Sequence, residues 1–300
     1  MLGKIIQCVA AGTLAAGGLV AAGGIPASAT PAPVAPTAPA AVAPPAPAVT
    51  TIACPSTACV RLASGLGEPL RVAPDGQGGA YVTYQNGDLR EVDLGSGAST
   101  VVARGLGNLR GVDVHGGSAY VVDFGGSLQR VDLATGARQV LASGLGALQA
   151  VVHDDAAGST YVTGGNGQLV EVRDGRDPRV VADGLGLSQG IALDGKGNAY
   201  TADMMAGRVL RTKVATGATE ILASETYEPT SISVGPDGQV YFAVADQVTR
   251  LDPATGRKVH FADIRGLNSV GFTMDERGDA YATDLGGGGG SLWRIPGLGR

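Results

Sequence analysis

Ser188-Gln189-Gly190-Ile191-Ala192-Leu193-Asp194-Gly195-Lys196-Gly197-Asn198-Ala199-Tyr200-Thr201-Ala202-Asp203 is the stretch whose reading decides the fold. A short apolar run, Gly190 to Leu193, meets an Asp-Gly turn and is followed at once by a second run around Tyr200. Two short runs bounded by Gly, Asp and Asn read as antiparallel strands joined by a tight turn. The tyrosine recurs in the same surroundings as Tyr81, Tyr120, Tyr161, Tyr200, Tyr241 and Tyr281, at intervals of 39, 41, 39, 41 and 40 residues. After each tyrosine run comes a third, such as Leu128-Gln129-Arg130-Val131-Asp132, then a turn and a fourth, such as Gln139-Val140-Leu141-Ala142. Helical periodicity is missing outside the first residues. Four short strands per unit, in six units, predict an all-β fold: a six-bladed β-propeller with four-stranded antiparallel blades.

A propeller closes, or it exposes sheet edges. The sixth unit stops at Trp293-Arg294-Ile295-Pro296, one strand short. Its missing strand is upstream, because Cys59-Val60-Arg61-Leu62-Ala63-Ser64-Gly65 matches the fourth run of the other units. The last blade is therefore expected to be closed by the N-terminal strand around 59–65, beside Trp293. Cys54 and Cys59, close in sequence in a chain read as exported, are expected to form a small disulfide loop pinning that strand.

Glycine and proline together make 65 of the 300 residues, 49 and 16, without the triplet period of collagen. Hydrophobic residues at 44% exclude wholesale disorder. Charged residues are only 16% and the net charge is −5, so no basic surplus recruits nucleic acid. Residues 1–29 read as a signal peptide: Lys4, an apolar stretch from Ile5 to Val20, and the small-residue exit Ala27-Ser28-Ala29. An uncleaved membrane anchor is the other reading of that stretch. Residues 30–52 are an Ala/Pro-rich linker of polyproline character, and 53–300 the propeller. The expected location is outside the cell or on its wall, with no transmembrane domain once the signal is removed, and the expected state is a monomer.

Ser188 to Asp203 resembles an NHL repeat, and Ile232-Ser233-Val234-Gly235-Pro236-Asp237-Gly238-Gln239-Val240-Tyr241-Phe242 resembles a repeat of the streptogramin lyases. Residues 59–300 together resemble the six-bladed clan of NHL repeat proteins, streptogramin lyases and gluconolactonase-like lactonases. Fold does not fix chemistry, so function is sought in a site.

The apical face of such a ring receives the loop leading into each first strand and the turn after each second strand. Four residues before the leading apolar residue of the first strands stand Glu228, Asn268, Glu68 and Asn108 in blades 5, 6, 1 and 2. Carboxylate and amide oxygens converging there suit Ca²⁺ or another divalent cation, although nothing in the sequence demands a cofactor. The gluconolactonase resemblance implies a metal at this mouth, with Glu68 in the place of the first-blade Glu. Pro69 directly after it, and Gln149 and Gln189 nearer the strands, depart from that pattern. Arg71 and Arg110 are expected at the mouth as carboxylate or phosphate readers, or as partners of Glu68. Tyr84 and Tyr227, the two tyrosines outside the repeat, are expected to be apical ligand contacts. Met204-Met205 and the Gly286–Gly290 run share that tier, the latter as a flap or a plain loop. Asp123, Asp203 and Asp284 are expected to cap turns. His115, His153 and His260 fall at three different positions of the repeat and are not expected to meet, which disfavours the lyase.

The reading that follows is an exported NHL-like module binding an extracellular protein, a cell-wall component or a small molecule through its apical face. A divalent-metal-dependent lactonase is the alternative, in which the ion polarises the ester carbonyl and activates water. A streptogramin-type lyase ranks third, and no catalytic residue is assigned.

Overall fold

The computed structural model describes residues 50–54, 56, 58–265, 267, 269–285 and 289–300. The signal peptide and most of the linker, Asn268 and the first three residues of the glycine run, 286–288, lie outside the described residues.

Two strands precede the first blade, β1 (Thr50–Ala53) and β2 (Val60–Ser64). Blade 1 is β3 (Pro69–Pro74), β4 (Gly79–Tyr84), β5 (Leu89–Asp93) and β6 (Ser99–Ala103). Blade 2 is β7 (Leu109–His115), β8 (Ser118–Asp123), β9 (Leu128–Asp132) and β10 (Arg138–Ala142). Blade 3 runs through β11 (Leu148–Asp154), β12 (Ser159–Gly164), β13 (Leu169–Val172) and β14 (Arg179–Ala182). Blade 4 follows with β15 (Ser188–Leu193), β16 (Asn198–Asp203), β17 (Arg208–Lys213) and β18 (Thr219–Ala223). Blade 5 has β19 (Ser231–Val234), β20 (Val240–Val244), β21 (Gln247–Leu251) and β22 (Lys258–Arg265). Blade 6 has β23 (Ser269–Met274), β24 (Ala280–Asp284) and β25 (Ser291–Ile295).

The first strands β3, β7, β11, β15, β19 and β23 pack each against the next, and β23 returns to β3. This is a closed six-bladed propeller. The closing strand is where the sequence puts it: β2 runs antiparallel to β25 with Arg61 opposite Trp293. The Cys54–Cys59 disulfide is formed just before it.

Blade 5 differs from the expected four strands. β1 adds to it as a fifth, parallel strand, with Thr50 opposite Ala262 and Ala53 opposite Arg265. Residues 50–52 had the composition of linker, yet the Thr-Thr-Ile run is β-prone and covers the outer edge of β22.

The core lies between blades. Each repeat tyrosine is buried, and on the basal side its hydroxyl meets the aspartate of the first hairpin in blades 4, 5 and 6: Tyr200–Asp194 3.3 Å, Tyr241–Asp237 2.9 Å, Tyr281–Asp275 3.3 Å. The same aspartates accept backbone N–H bonds across their turns, Asp194 from Lys196 and Asn198, Asp275 from Arg277 and Asp279. One Asp thus closes a turn and anchors a core ring.

Candidate functional site

The ring encloses a cavity of about 690 Å³ lined by all six first strands and by the basal turns at Asp75, His115 and Asp275. It opens on the basal face, because Arg71 stands at its other end and no apical loop residue lines it. Arg71 occupies a position that the other five first strands fill with Gly111, Ala150, Gly190, Ser231 and Gly271. Those small residues leave room for one guanidinium to cross the channel. Its Nη1 donates to Ser231 Oγ at 2.8 Å, and its Nη2 to the carbonyls of Gln189 at 3.2 Å and Thr230 at 3.1 Å. First-strand carbonyls facing a channel need donors, and Arg71 supplies them from the opposite side of the ring. Burial, then the nearby charge of Arg110, lower its pKa from 12.5 to about 10, still protonated at neutral pH. Arg71 therefore ties blade 1 to blades 4 and 5, and no ion pair joins it to Glu68 among the described residues.

Tyr84 corrects the sequence reading. It is 4% exposed and packs in the apolar cluster with Val72, Val82 and Leu292. Burial pushes its hydroxyl up to about 12, with Arg90 opposing and Asp88 reinforcing, and the Arg90 guanidinium lies 4.8 Å from its ring centre. An aromatic side chain at the end of a blade's second strand finds more apolar contact inside than out, so it is core and not a ligand contact. Arg110 is partly enclosed, its guanidinium 5.2 Å from the Phe124 ring centre. Asp123 and Asp203 cap the turns after their strands, accepting from the N–H groups of Ser127 and Ala206. Asp203 also holds Arg208.

Glu68, Asn108 and Glu228 stand exposed at the ends of the leading loops of blades 1, 2 and 5, while Asn268 lies outside the described residues. Among the described residues no three His, Cys, Asp or Glu side chains gather around an ion-sized site.

Tyr227 is on the apical surface as expected, 75% exposed. What the sequence reading missed is how it gets there. The leading loops of blades 1 to 4 carry Gly-Leu-Gly at 65–67, 105–107, 144–146 and 184–186, with both glycines at positive φ. Blade 5 replaces this with Glu225-Thr226-Tyr227, and Glu225, Tyr227 and Glu228 keep the left-handed backbone at φ 55, 39 and 35. The fourth non-glycine residue of this kind, Ala245 at φ 50, is in the turn after β20 of the same blade. Each such residue costs roughly 1–3 kcal/mol, and such costs gather at functional sites. The signal was in the alignment of repeats: a glycine position occupied by a large side chain.

The histidines give a second correction. His115 and His153, on neighbouring blades, bring their ring centres to 5.8 Å at the basal mouth. Asp113 joins them, with Oδ2 accepting the His153 backbone N–H at 2.7 Å and lying 3.3 Å from His115 Nε2. His153 stacks on Tyr120 at 4.0 Å, with Nε2 3.1 Å from its hydroxyl, and its Nδ1 is 2.9 Å from Thr160 Oγ1. The hydrogen bond to Asp113 raises the His115 pKa against a desolvation cost. Burial and then the His115 charge lower that of His153, against the pull of nearby carboxylates. Places in the repeat kept them apart in sequence, but first strands of adjacent blades touch. His260 stays outside this group, 2.9 Å from Asp263 on the outer strand.

No family model matches the chain, and no curated protein matches it by sequence. Solved structures do resemble it. A gluconolactonase of Xanthomonas campestris superposes with a TM-score of 0.67 at 14% identity, covering 79% of this chain and 89% of that one. A streptogramin B lyase gives 0.58 at 10% identity over 79% and 96%. A nidogen/laminin complex gives 0.58 at 19% over 67% and 83%. At these identities the likeness establishes the propeller and its kinship in fold with NHL-type, lyase and lactonase rings, and leaves the chemistry open.

Proposed function

We propose that this chain is an exported β-propeller that binds an extracellular protein or cell-wall component through its apical loops. The observation that carries the reading is the distribution of exposed large apolar side chains. Phe124, Met205, Tyr227 and Leu285 lie on apical loops of blades 2, 4, 5 and 6, whereas the rest, such as Val140 and Ile221, sit on outer edge strands. Exposed apolar residues gathered on loops of a rigid scaffold mark interaction surfaces. The disulfide fits an oxidising location.

The test compares the full chain with a Met205→Ala/Tyr227→Ala variant in sedimentation with purified cell-wall material and with secreted proteins of the source cell. Wild-type binding lost in the variant, with unchanged thermal unfolding, supports the reading. The competing hydrolase would announce itself differently. Lactone hydrolysis that needs a divalent cation and falls in Glu68→Gln would replace the binding module by an enzyme.

A further inference from the structure

Resting on that reading of the apical face, we propose that the patch shared by blades 4 and 5 docks a basic segment of a partner protein, in which Lys or Arg side chains alternate with apolar ones. Met205 and Tyr227 are the most exposed large apolar side chains among the described residues, each at 75%. They stand on touching loops, since the Thr226 N–H donates to the Gly207 carbonyl at 3.0 Å. The charge around them is negative on balance, two carboxylates against one cation that no carboxylate neutralises, Lys258. Glu225 and Glu228 rise from the same loop as Tyr227, and neither has an ion-pair partner among the described residues. Of the cations beside this patch among the described residues, Arg208 is neutralised by a carboxylate and Lys258 is held by a carbonyl while keeping its charge. Arg208 bonds Asp203 through both Nε and Nη2, at 3.0 and 2.6 Å, and Lys258 Nζ donates to the Ser224 carbonyl.

An exposed tyrosine ring on a loop that also carries two exposed carboxylates suits an ammonium or guanidinium group, through cation–π attraction and charge-assisted hydrogen bonds. Met205 adds a polarizable apolar contact for the residues between the charges. An acidic segment would meet two unneutralised carboxylates, which selects against it. Glu225, Tyr227 and Glu228 share one short loop whose left-handed backbone is already set, so less backbone ordering remains to be done on binding.

Fluorescence anisotropy with the full chain at low salt tests this, using a labelled Lys-Val-Arg-Gly-Lys-Val-Arg peptide. Two counterparts replace every basic residue by Gln or by Glu. The basic peptide should bind, the Glu peptide should not, and Glu225→Gln/Glu228→Gln should weaken binding at least about tenfold. Glu276→Gln, which removes the same charge from the basal face, should leave affinity unchanged. Absence of binding by the basic peptide, or equal weakening by Glu276→Gln, overturns the proposal. If the Gln peptide binds equally well and Tyr227→Ala abolishes it, the basic chemistry falls while the apical reading stands. Binding insensitive to every apical substitution removes both.

Discussion

The leading loops of blades 1 and 5 trace one turn with different residues: Gly65 and Gly67 at φ 71 and 82, Glu225 and Tyr227 at φ 55 and 39. At Gly65, Gly105, Gly144 and Gly184 an added Cβ would meet nothing within 4 Å. The first glycine of each loop is therefore there for backbone freedom and not for lack of space, whereas the second is also confined in blades 2 and 4, by Asp123 and Asp203. Blade 5 gives up that freedom and gains side chains that reach solvent.

The third-to-fourth strand turns carry the same comparison to the basal side and provide the largest expected effect. A Cβ on Gly217 would come within 2.2 Å of the Val181 carbonyl, and one on Gly136 within 2.4 Å of that of Val102. The blade 5 counterpart, Gly256, leaves 3.0 Å to the Leu222 carbonyl. All three have φ near 70. They share a left-handed cost of about 1–2 kcal/mol for alanine, and the two tight sites add roughly 1–3 more for overpacking. Urea unfolding should place Gly217→Ala and Gly136→Ala well below Gly256→Ala. Equal losses at the three sites would mean that blade 5 is no looser than its neighbours.

Arg71 comes next, because it joins blade 1 to blades 4 and 5 across the channel. Arg71→Met keeps the stem and removes the donors, and should cost about 2 kcal/mol, since hydrogen bonds from charged groups contribute roughly 1.5–3 each and water can replace some of them. Hydrogen exchange should rise first in β19 and in the Thr230 neighbourhood. A variant as stable as wild type would reduce Arg71 to a passenger in the channel.

The ring was legible because its tyrosine, its turn aspartates and its closing strand repeat in one dimension. The disulfide was legible from two nearby cysteines. What escaped the sequence depends on which repeats touch. Arg71 was placed at the mouth, but its partners are in blades 4 and 5, more than a hundred residues away. His115 and His153 looked unrelated because each was judged by its place within its own unit. Tyr84 was misplaced for the opposite reason: being outside the repeat suggested the surface, while local packing took it inside. The blade 5 loop was fully visible as Glu-Thr-Tyr in place of Gly-Leu-Gly, and only its backbone cost required coordinates.

That cost can be returned. Glu225→Gly/Tyr227→Gly should raise stability by about 1 kcal/mol, the relieved left-handed strain less the extra freedom of the unfolded chain. The same variant should lose apical binding. Stabilisation and loss together are the signature of strain retained for function. A destabilised variant would mean that the two side chains support the loop instead.

The smallest effect is expected at the basal mouth, where blades 2 and 3 depart from the repeat with left-handed backbone only at glycines. The raised pKa of His115 makes its contribution to stability present below the unfolded value of about 6.5 and lost as pH rises through the folded value. His153 has the opposite sign. Its lowered pKa lets the unfolded chain take the proton first, so stability falls as pH drops from about 6.5 toward the folded value. Thermal unfolding between pH 8 and 5.5 should therefore show a flatter acid-side decline in His153→Asn and a steeper one in His115→Asn. The slopes should differ from wild type by about 1–3 °C, the size expected when under 1 kcal/mol is at stake in a domain of this length. Apical binding should not move in either variant. If His153→Asn weakened it, the two faces would be coupled through the first strands, and the contrast between a binding blade 5 and a merely titrating basal pair would fail.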